Sequence, residues 1–227
     1  MTVQFRRAAP DDQTAIADIA KQALSMSLPA DSLRAGHDLS EGLTLVATLG
    51  GAVVGFVDNF VTRDQAGGMR CELDLLAVRP WARGRGIGGN LVSKSVQAAR
   101  EANAREIRAL VRGENRAMQR LCSSQGFRRG PTRFELYVAD AKPVARRRRQ
   151  HEAHLIPVKT LAYSGIWLEG SLSQDAIDEA RWIATAGGMS RIGAVIAVAE
   201  PASNLLRKNG FVKLGDYDWW TINLGNG

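Results

Sequence analysis

The stretch from Leu73 to Arg100, LDLLAVRPWARGRGIGGNLVSKSVQAAR, constrains the fold more than any other part of this chain. An apolar run of Leu73, Leu75, Leu76, Ala77 and Val78 stops at Arg79-Pro80. A basic, glycine-rich loop follows, Arg83-Gly84-Arg85-Gly86-Ile87-Gly88-Gly89. Apolar residues then recur at helical spacing: Ile87, Leu91, Val92, Val96 and Ala99. The pattern predicts a buried strand, a loop of phosphate size and a helix. Such a junction aims unpaired N–H groups and the positive end of a helix dipole at one point. Gly86, Gly88 and Gly89 allow the backbone to approach a bulky anion, and Arg83 and Arg85 add charge. A tight turn on an arginine-rich surface is the plainer alternative. The strand before the loop and the helix after it favour the anion site.

The loop is not a dinucleotide fingerprint, which needs G-x-G-x-x-G, nor a P-loop, because no Gly-Lys-Ser/Thr ends it. It fits Arg/Gln-x-x-Gly-x-Gly/Ala, filled by Arg83, Gly86 and Gly88. Here the chain resembles the GNAT superfamily of acyl-CoA-dependent N-acyltransferases. The resemblance implies that acetyl-CoA is the acyl donor. It implies that the backbone of Leu76, Ala77 and Val78 pairs with the pantetheine arm. Arg83, Gly84, Arg85, Gly86, Ile87, Gly88 and Gly89 would cradle the pyrophosphate.

The remaining elements read in an order consistent with that family. Val3 to Arg6 is a first strand, and Pro10-Asp11-Asp12 starts a helix with Ile16, Ile19 and Ala20 on its apolar face. Ser27 to Ser40 reads as a broken second helix. Strands follow at 43–49, 52–62 and 69–78, the first two joined at Gly50-Gly51. Beyond the long helix come a strand at 106–112, a short helix at 115–124 and a strand at 132–138. The implied fold is α/β (α+β), a mixed, mostly antiparallel central sheet flanked by helices, over residues 1–140.

Residues 141–154 change character, with Arg146 to Arg149 consecutive. They read as a solvated basic linker. A nucleic-acid contact is the sharper reading, and the lack of interleaved aromatic residues argues against it. Residues 155–227 carry a second αβ pattern. Leu155 to Leu168 is strand-like, broken near Pro157 and Gly165. Ser173 can cap a helix, 191–198 is a strand, Pro201 starts a short helix, and 212–224 closes as a strand. REIRALVRGENRAMQRLCSSQGF and SRIGAVIAVAEPASNLLRKNGF both run strand, turn, helix, Gly-Phe. The tail thus resembles a degenerate GNAT half-domain without the cofactor loop. It is short for an independent core and is expected to pack on the first domain or against another subunit, as in a homodimer.

Acyl transfer to an amine needs a base, donors for an oxyanion and a way to stabilise the leaving thiolate. Glu72 and Asp74 alternate on the strand entering the loop. Period-two geometry puts them on one face together with Leu76 and Val78. The resemblance makes Glu72 the general base, standing six residues before Val78, with Asp74 assisting or binding a cationic acceptor. Two solvent-facing carboxylates are the plain alternative. Asn115 can cap the helix it opens, and the resemblance adds a contact to the CoA arm. Where many GNAT enzymes carry a tyrosine acid, this chain has Cys122, which reads as a small buried residue. His37, His151 and His154 lack partners at metal or triad spacing, so no metal is expected. Trp167, Trp219 and Trp220 read as core or interface residues, and Trp81 as a cover for the loop or a packing residue.

The net charge of +7 fits an anionic ligand. No apolar run approaches a membrane span, and the N-terminus lacks a signal-peptide core, so a cytoplasmic protein without a membrane partner is expected. Cys71 and Cys122 would stay reduced there. The expected function is acetyl-CoA-dependent N-acetylation of a primary amine, on a protein lysine or a small molecule. The alternative is a non-catalytic CoA-sensing or interaction module, which would bind nucleic acid through the arginine run.

Overall fold

A computed structural model describes residues 2–26, 28, 43–145 and 150–225. The elements in chain order are β1 (Val3–Arg7), α1 (Gln13–Leu24), β2 (Leu43–Leu49), β3 (Ala52–Arg63), β4 (Met69–Val78) and α2 (Ile87–Glu101). Next come β5 (Glu106–Arg112), α3 (Arg116–Ser124), β6 (Arg128–Asp140), β7 (His154–Lys159) and β8 (Ser164–Glu169). The chain closes with α4 (Gln174–Ala186), β9 (Arg191–Ala197), α5 (Ala202–Lys208) and β10 (Val212–Asn223). The segment expected as one broken strand from Leu155 to Leu168 is a hairpin, β7 and β8, paired antiparallel. The second helix expected between Ser27 and Ser40 lies, apart from residue 28, outside the described residues, as do His37 and Arg146 to Arg149.

The described strands form one sheet in the order β1-β2-β3-β4-β5-β10-β6-β9-β8-β7. Pairing is antiparallel except at β4–β5 and β8–β9, which are the two crossovers through helices α2 and α4. The repeat seen in the sequence is expressed twice: β4-α2-β5-α3-β6 matches β8-α4-β9-α5-β10. Both short helices end alike. The Phe127 N–H donates to the Cys122 carbonyl (3.0 Å), and the Phe211 N–H to that of Leu206 (3.1 Å). Both phenylalanines are buried.

The two halves exchange their last strands. β6 does not close on β5; it lies between β10 and β9, and β10 lies between β5 and β6. The tail therefore packs on the first part of the chain, by main-chain pairing through the middle of the sheet.

Alternation sorts each strand. Ile107, Ala109 and Val111 of β5 and Trp220 of β10 join Leu91, Val92 and Val96 of α2 in one core. Tyr137 of β6, Ile166 and Leu168 of β8, and Ile192 of β9 join Ile177 and Ala180 of α4 in a second. α1 covers the other face, with Ile16, Ile19 and Ala20 against Val46, Phe56 and Leu161. Across a flat sheet, β4 and β8 would stand about 24 Å apart, five spacings of roughly 4.8 Å. Yet the Glu169 carboxylate of β8 accepts hydrogen bonds from Arg70 of β4 at 2.8 Å. The sheet must curl to allow this, and its concave face encloses a cavity. No helix among the described residues is long and apolar enough to cross a membrane.

A chain ending at Asp140 retains the whole first part but removes β10 from between β5 and β6. Both strands then expose unpaired main-chain groups in mid-sheet. Such a fragment is expected to show no cooperative urea transition. A transition with the midpoint of the full chain would show that β10 is dispensable.

Candidate functional site

The site begins with one extra residue in β4. Leu75 faces Asp58 of β3 and Leu73 faces Asn59, so Asp74 has no partner and forms a bulge. Glu72, Asp74 and Leu75 border the concave cavity. Leu76 and Val78 instead pack on the α2 side. This corrects the expectation that all four residues Glu72, Asp74, Leu76 and Val78 share a face. An inserted residue resets the two-residue period, and every side chain beyond it changes side.

The same region opens the sheet. The parallel pairing of β4 with β5 stops at Leu73 and Ala109, although β4 runs on to Val78 and β5 to Arg112. Beyond that point the β4 backbone from Asp74 to Val78 makes no ladder with β5. The loop Arg83–Gly86 follows and is exposed. Gly84 (φ 77°) and Gly86 (φ 74°) hold left-handed conformations that a side chain would strain. Gly86 directly precedes α2, whose first turn leaves N–H groups without intrahelical partners. Arg83 ties the loop back by donating from Nε to the Val78 carbonyl (3.2 Å). A Cβ on Gly88 would make an ordinary contact with Leu121 at 3.5 Å, and one on Gly89 would press on the side-chain end of Gln125 at 3.2 Å.

Asn115 caps α3, its Oδ1 accepting from the Met118 N–H at 3.0 Å. It stands three residues past the end of β5. Cys122 turns into the core between α2 and the sheet, and burial pushes its thiol up to about 12. It can neither deliver a proton nor carry an acyl group from there. Trp81, 59% exposed, stands beside the loop rather than in the core.

The cavity on the concave face has a volume of about 340 Å³. Its walls come from both halves: Phe60 and Leu75 from the first, Val158, Tyr163 and Trp167 from the second. The Trp167 ring lies directly over Gly193, where a Cβ would come within 2.7 Å of it. Tyr163 meets that ring edge-on at 5.9 Å.

Two groups of charged residues differ sharply in their partners. Glu72 accepts from Arg70 Nε (2.8 Å), from Arg108 Nε with both oxygens (2.8 and 2.9 Å) and from Thr62 Oγ1 (3.3 Å). Arg70 and Arg108 also bind Glu169 of β8, the latter at 2.5 Å. Arg108 further stacks on Trp219, 3.8 Å from the ring centre. Burial pushes Glu72 up, against the pull of the two guanidiniums. With two cations and two anions, the cluster is neutral.

Asp74 has no ion pair among the described residues. Burial, and next the neighbouring Asp58 charge, push its carboxyl up to about 7, while a hydrogen bond to Thr160 opposes them. Asp74 is exposed by surface area, but its carboxyl faces the cleft between the two halves, where the surrounding protein disfavours a charge. Asp58 lies behind it, raised to about 6 by burial. It accepts from Thr44 Oγ1 (2.7 Å) and from the Leu161 N–H of the β7–β8 turn (3.0 Å). Sequence reasoning missed Asp58, Thr160, Leu161 and Glu169. Asp58 left a signal, a polar Asp-Asn pair inside the apolar run VVGFVDNFV. Among the described residues, no group of three or more His, Cys, Asp or Glu could hold a metal ion.

The sequence model described as "Acetyltransferase (GNAT) family" matches residues 14–127, half of this chain. No curated protein sequence matches it. Among solved structures, it is similar to a GCN5-related glucosamine N-acetyltransferase region of a fungal multi-domain GH3 β-N-acetylglucosaminidase, with TM-score 0.64 and 14% identity. That match covers 97% of this chain but only 38% of the fungal one. An acetyltransferase structure from Pyrococcus horikoshii gives TM-score 0.62 and 16% identity, over 99% of this chain and 90% of that one. A tandem GNAT protein of the clavulanic acid biosynthesis pathway gives 0.58 and 14%, over 100% of both chains. At these identities the likeness is one of fold, and the tandem protein matches the two-half architecture seen here.

Asp58→Asn removes the like charge beside Asp74, so Asp74 should titrate below its value of about 7 in carboxyl-carbon NMR. An unmoved Asp74 would show that the two do not interact. Glu169→Gln strips one anion from the neutral cluster and leaves two buried guanidiniums sharing Glu72. Urea unfolding should register a loss of about 3 kcal/mol.

Proposed function

The chain belongs to the GNAT acetyltransferase family, and on that premise we propose that it transfers an acetyl group directly from acetyl-CoA to a primary amine. The observation that carries the reading is the parting of β4 and β5 beside the exposed loop at the start of α2. The unpaired backbone from Leu76 to Val78 suits an extended pantetheine arm. Gly84, Gly86 and the N–H groups opening α2, with Arg83 and Arg85, suit a pyrophosphate. Gly88 and Gly89 lie in the first turn of α2, next to those N–H groups. Asn115, besides capping α3, would contact the arm from the β5 side.

Of the two carboxylates proposed for proton removal, Asp74 is the better placed. Glu72 spends its oxygens on Arg70, Arg108 and Thr62, whereas Asp74 faces the cavity without a cation. Asp74 would take the proton from the ammonium group, directly or through water. The freed lone pair forms the C–N bond to the acetyl carbon, the C–S bond breaks as the tetrahedral adduct collapses, and the second proton of the amine passes through water in the open gap to the leaving thiolate. Glu72 would then hold β4 and β5 in register at the point where they begin to part.

Calorimetric titration with acetyl-CoA tests the cofactor site. Saturable binding is expected for the wild type. Gly86→Glu, which strains the left-handed residue and adds a negative charge, should weaken it by tenfold or more. Absence of binding in the wild type would overturn the reading. The base is tested by pH. A protonated Asp74 cannot accept a proton, so kcat/KM should be low below about pH 7 and rise as Asp74 ionises. Asp74→Asn should lower kcat by about a hundredfold or more and remove that limb, with acetyl-CoA affinity unchanged. Loss of the limb in Glu72→Gln with Asp74→Asn unaffected would return the role to Glu72.

A further inference from the structure

We propose that the cavity beside Asp74 accepts a small primary amine with an apolar or aromatic body, and excludes amines carried on a polypeptide. The inference rests on the acetyl-transfer reading for its chemistry, but its geometry stands separately. Between the two acidic ends, the cavity surface is made by Leu110, Leu136, Val138, Ile156, Trp167 and Trp219. A volume of about 340 Å³ is at the lower end for small-molecule sites and matches a ligand of one ring and a short chain.

Charge narrows the class further. Arg70 and Arg108 are both engaged by Glu72 and Glu169, so a ligand carboxylate or phosphate finds no open cation at that end. A second ammonium, as on a polyamine, finds both carboxylates there already neutralised, and burying it unpaired is costly. Asp74 is the one cavity-facing carboxylate without an ion pair among the described residues. One ammonium group at Asp74 and an apolar remainder against the tryptophans satisfy the site.

The β7–β8 turn supplies the exclusion. Leu161 is 2% exposed and packs into the core beneath α1, and its N–H is bonded to Asp58. Thr160 bonds Asp74, and Tyr163 fits against Trp167. The turn thus lines the cavity beside Asp74 with Thr160, Ala162 and Tyr163, and narrows the room for a chain that would bring a lysine or an α-amine there.

Trp167 and Trp219 line the cavity, so ligand entry can be read from tryptophan fluorescence of the full-length protein without acetyl-CoA. The probes are 2-phenylethylamine, spermidine and a lysine-containing octapeptide, at a pH above the Asp74 titration. The expected result is a saturable change with 2-phenylethylamine, at least tenfold tighter than with the other two. Asp74→Asn should weaken it by about tenfold, and so should Leu136→Phe, which narrows the cavity. Acetyl-CoA titration of Leu136→Phe should match the wild type and so confirm that it is folded. Tighter binding of spermidine or the peptide, or no saturable change with 2-phenylethylamine, overturns the inference. Acetyl-CoA binding without amine binding sinks this inference and leaves the transferase reading standing. Amine binding without acetyl-CoA binding does the reverse.

Discussion

Main-chain hydrogen bonding on both sides of β10 is the constraint from which the rest of this structure follows. On one side the strand pairs with β5 from Tyr217 to Asn223, and on the other with β6 from Val212 to Thr221. Each half of the chain therefore completes the other. Once the halves share a continuous ladder, right-handed strand twist accumulates across all the strands between β4 and β8. β8 is brought round to β4, and the concave space left between them becomes the cavity.

The cluster of Arg70, Glu72, Arg108 and Glu169 holds that curl in place. Buried ion pairs contribute little net stability, because desolvation offsets the attraction. Their value here is geometric: four charged groups from β4, β5 and β8 can all be satisfied only when β8 swings across to β4. A carboxylate used in this way is poorly suited to moving protons. The bulge at Asp74 resolves the conflict by offering a second carboxylate on the same face with a different environment. Two residues apart on one strand, one acid is neutralised by guanidiniums and the other is raised by apolar surroundings and a like charge.

Much of this was legible in the sequence because the relevant signals are local. The run Leu73–Val78, the breaker Arg79-Pro80 and the helical spacing after Ile87 fixed the strand–loop–helix unit, and β4 starts and ends where the pattern said. Ser173 and Asn115 marked two helix starts by their capping chemistry. The doubled Gly-Phe endings announced the repeat. What the sequence did not reveal depends on partners distant in the chain. Whether β6 pairs with β5 or β9 is a matter of which edge reaches it, and alternation within β6 is the same in either case. The bulge was hidden for a related reason: a single extra residue leaves an apolar strand looking continuous. Glu72 seemed free because Arg108, whose guanidinium meets both of its oxygens, belongs to another strand.

The exchange of last strands has a consequence during synthesis. The first half leaves the ribosome with β5 and β6 made, but the strand that belongs between them, β10, is translated only after β7, β8 and β9. At roughly 5–20 residues per second, the wait lasts several seconds. Through that interval two long strands offer open edges to any other extended chain, and the contacts that finally close the sheet are among the most distant in the sequence. The nascent protein is thus most exposed to mispairing after β6 has emerged and before β10 has, and chaperone dependence should be concentrated in that window.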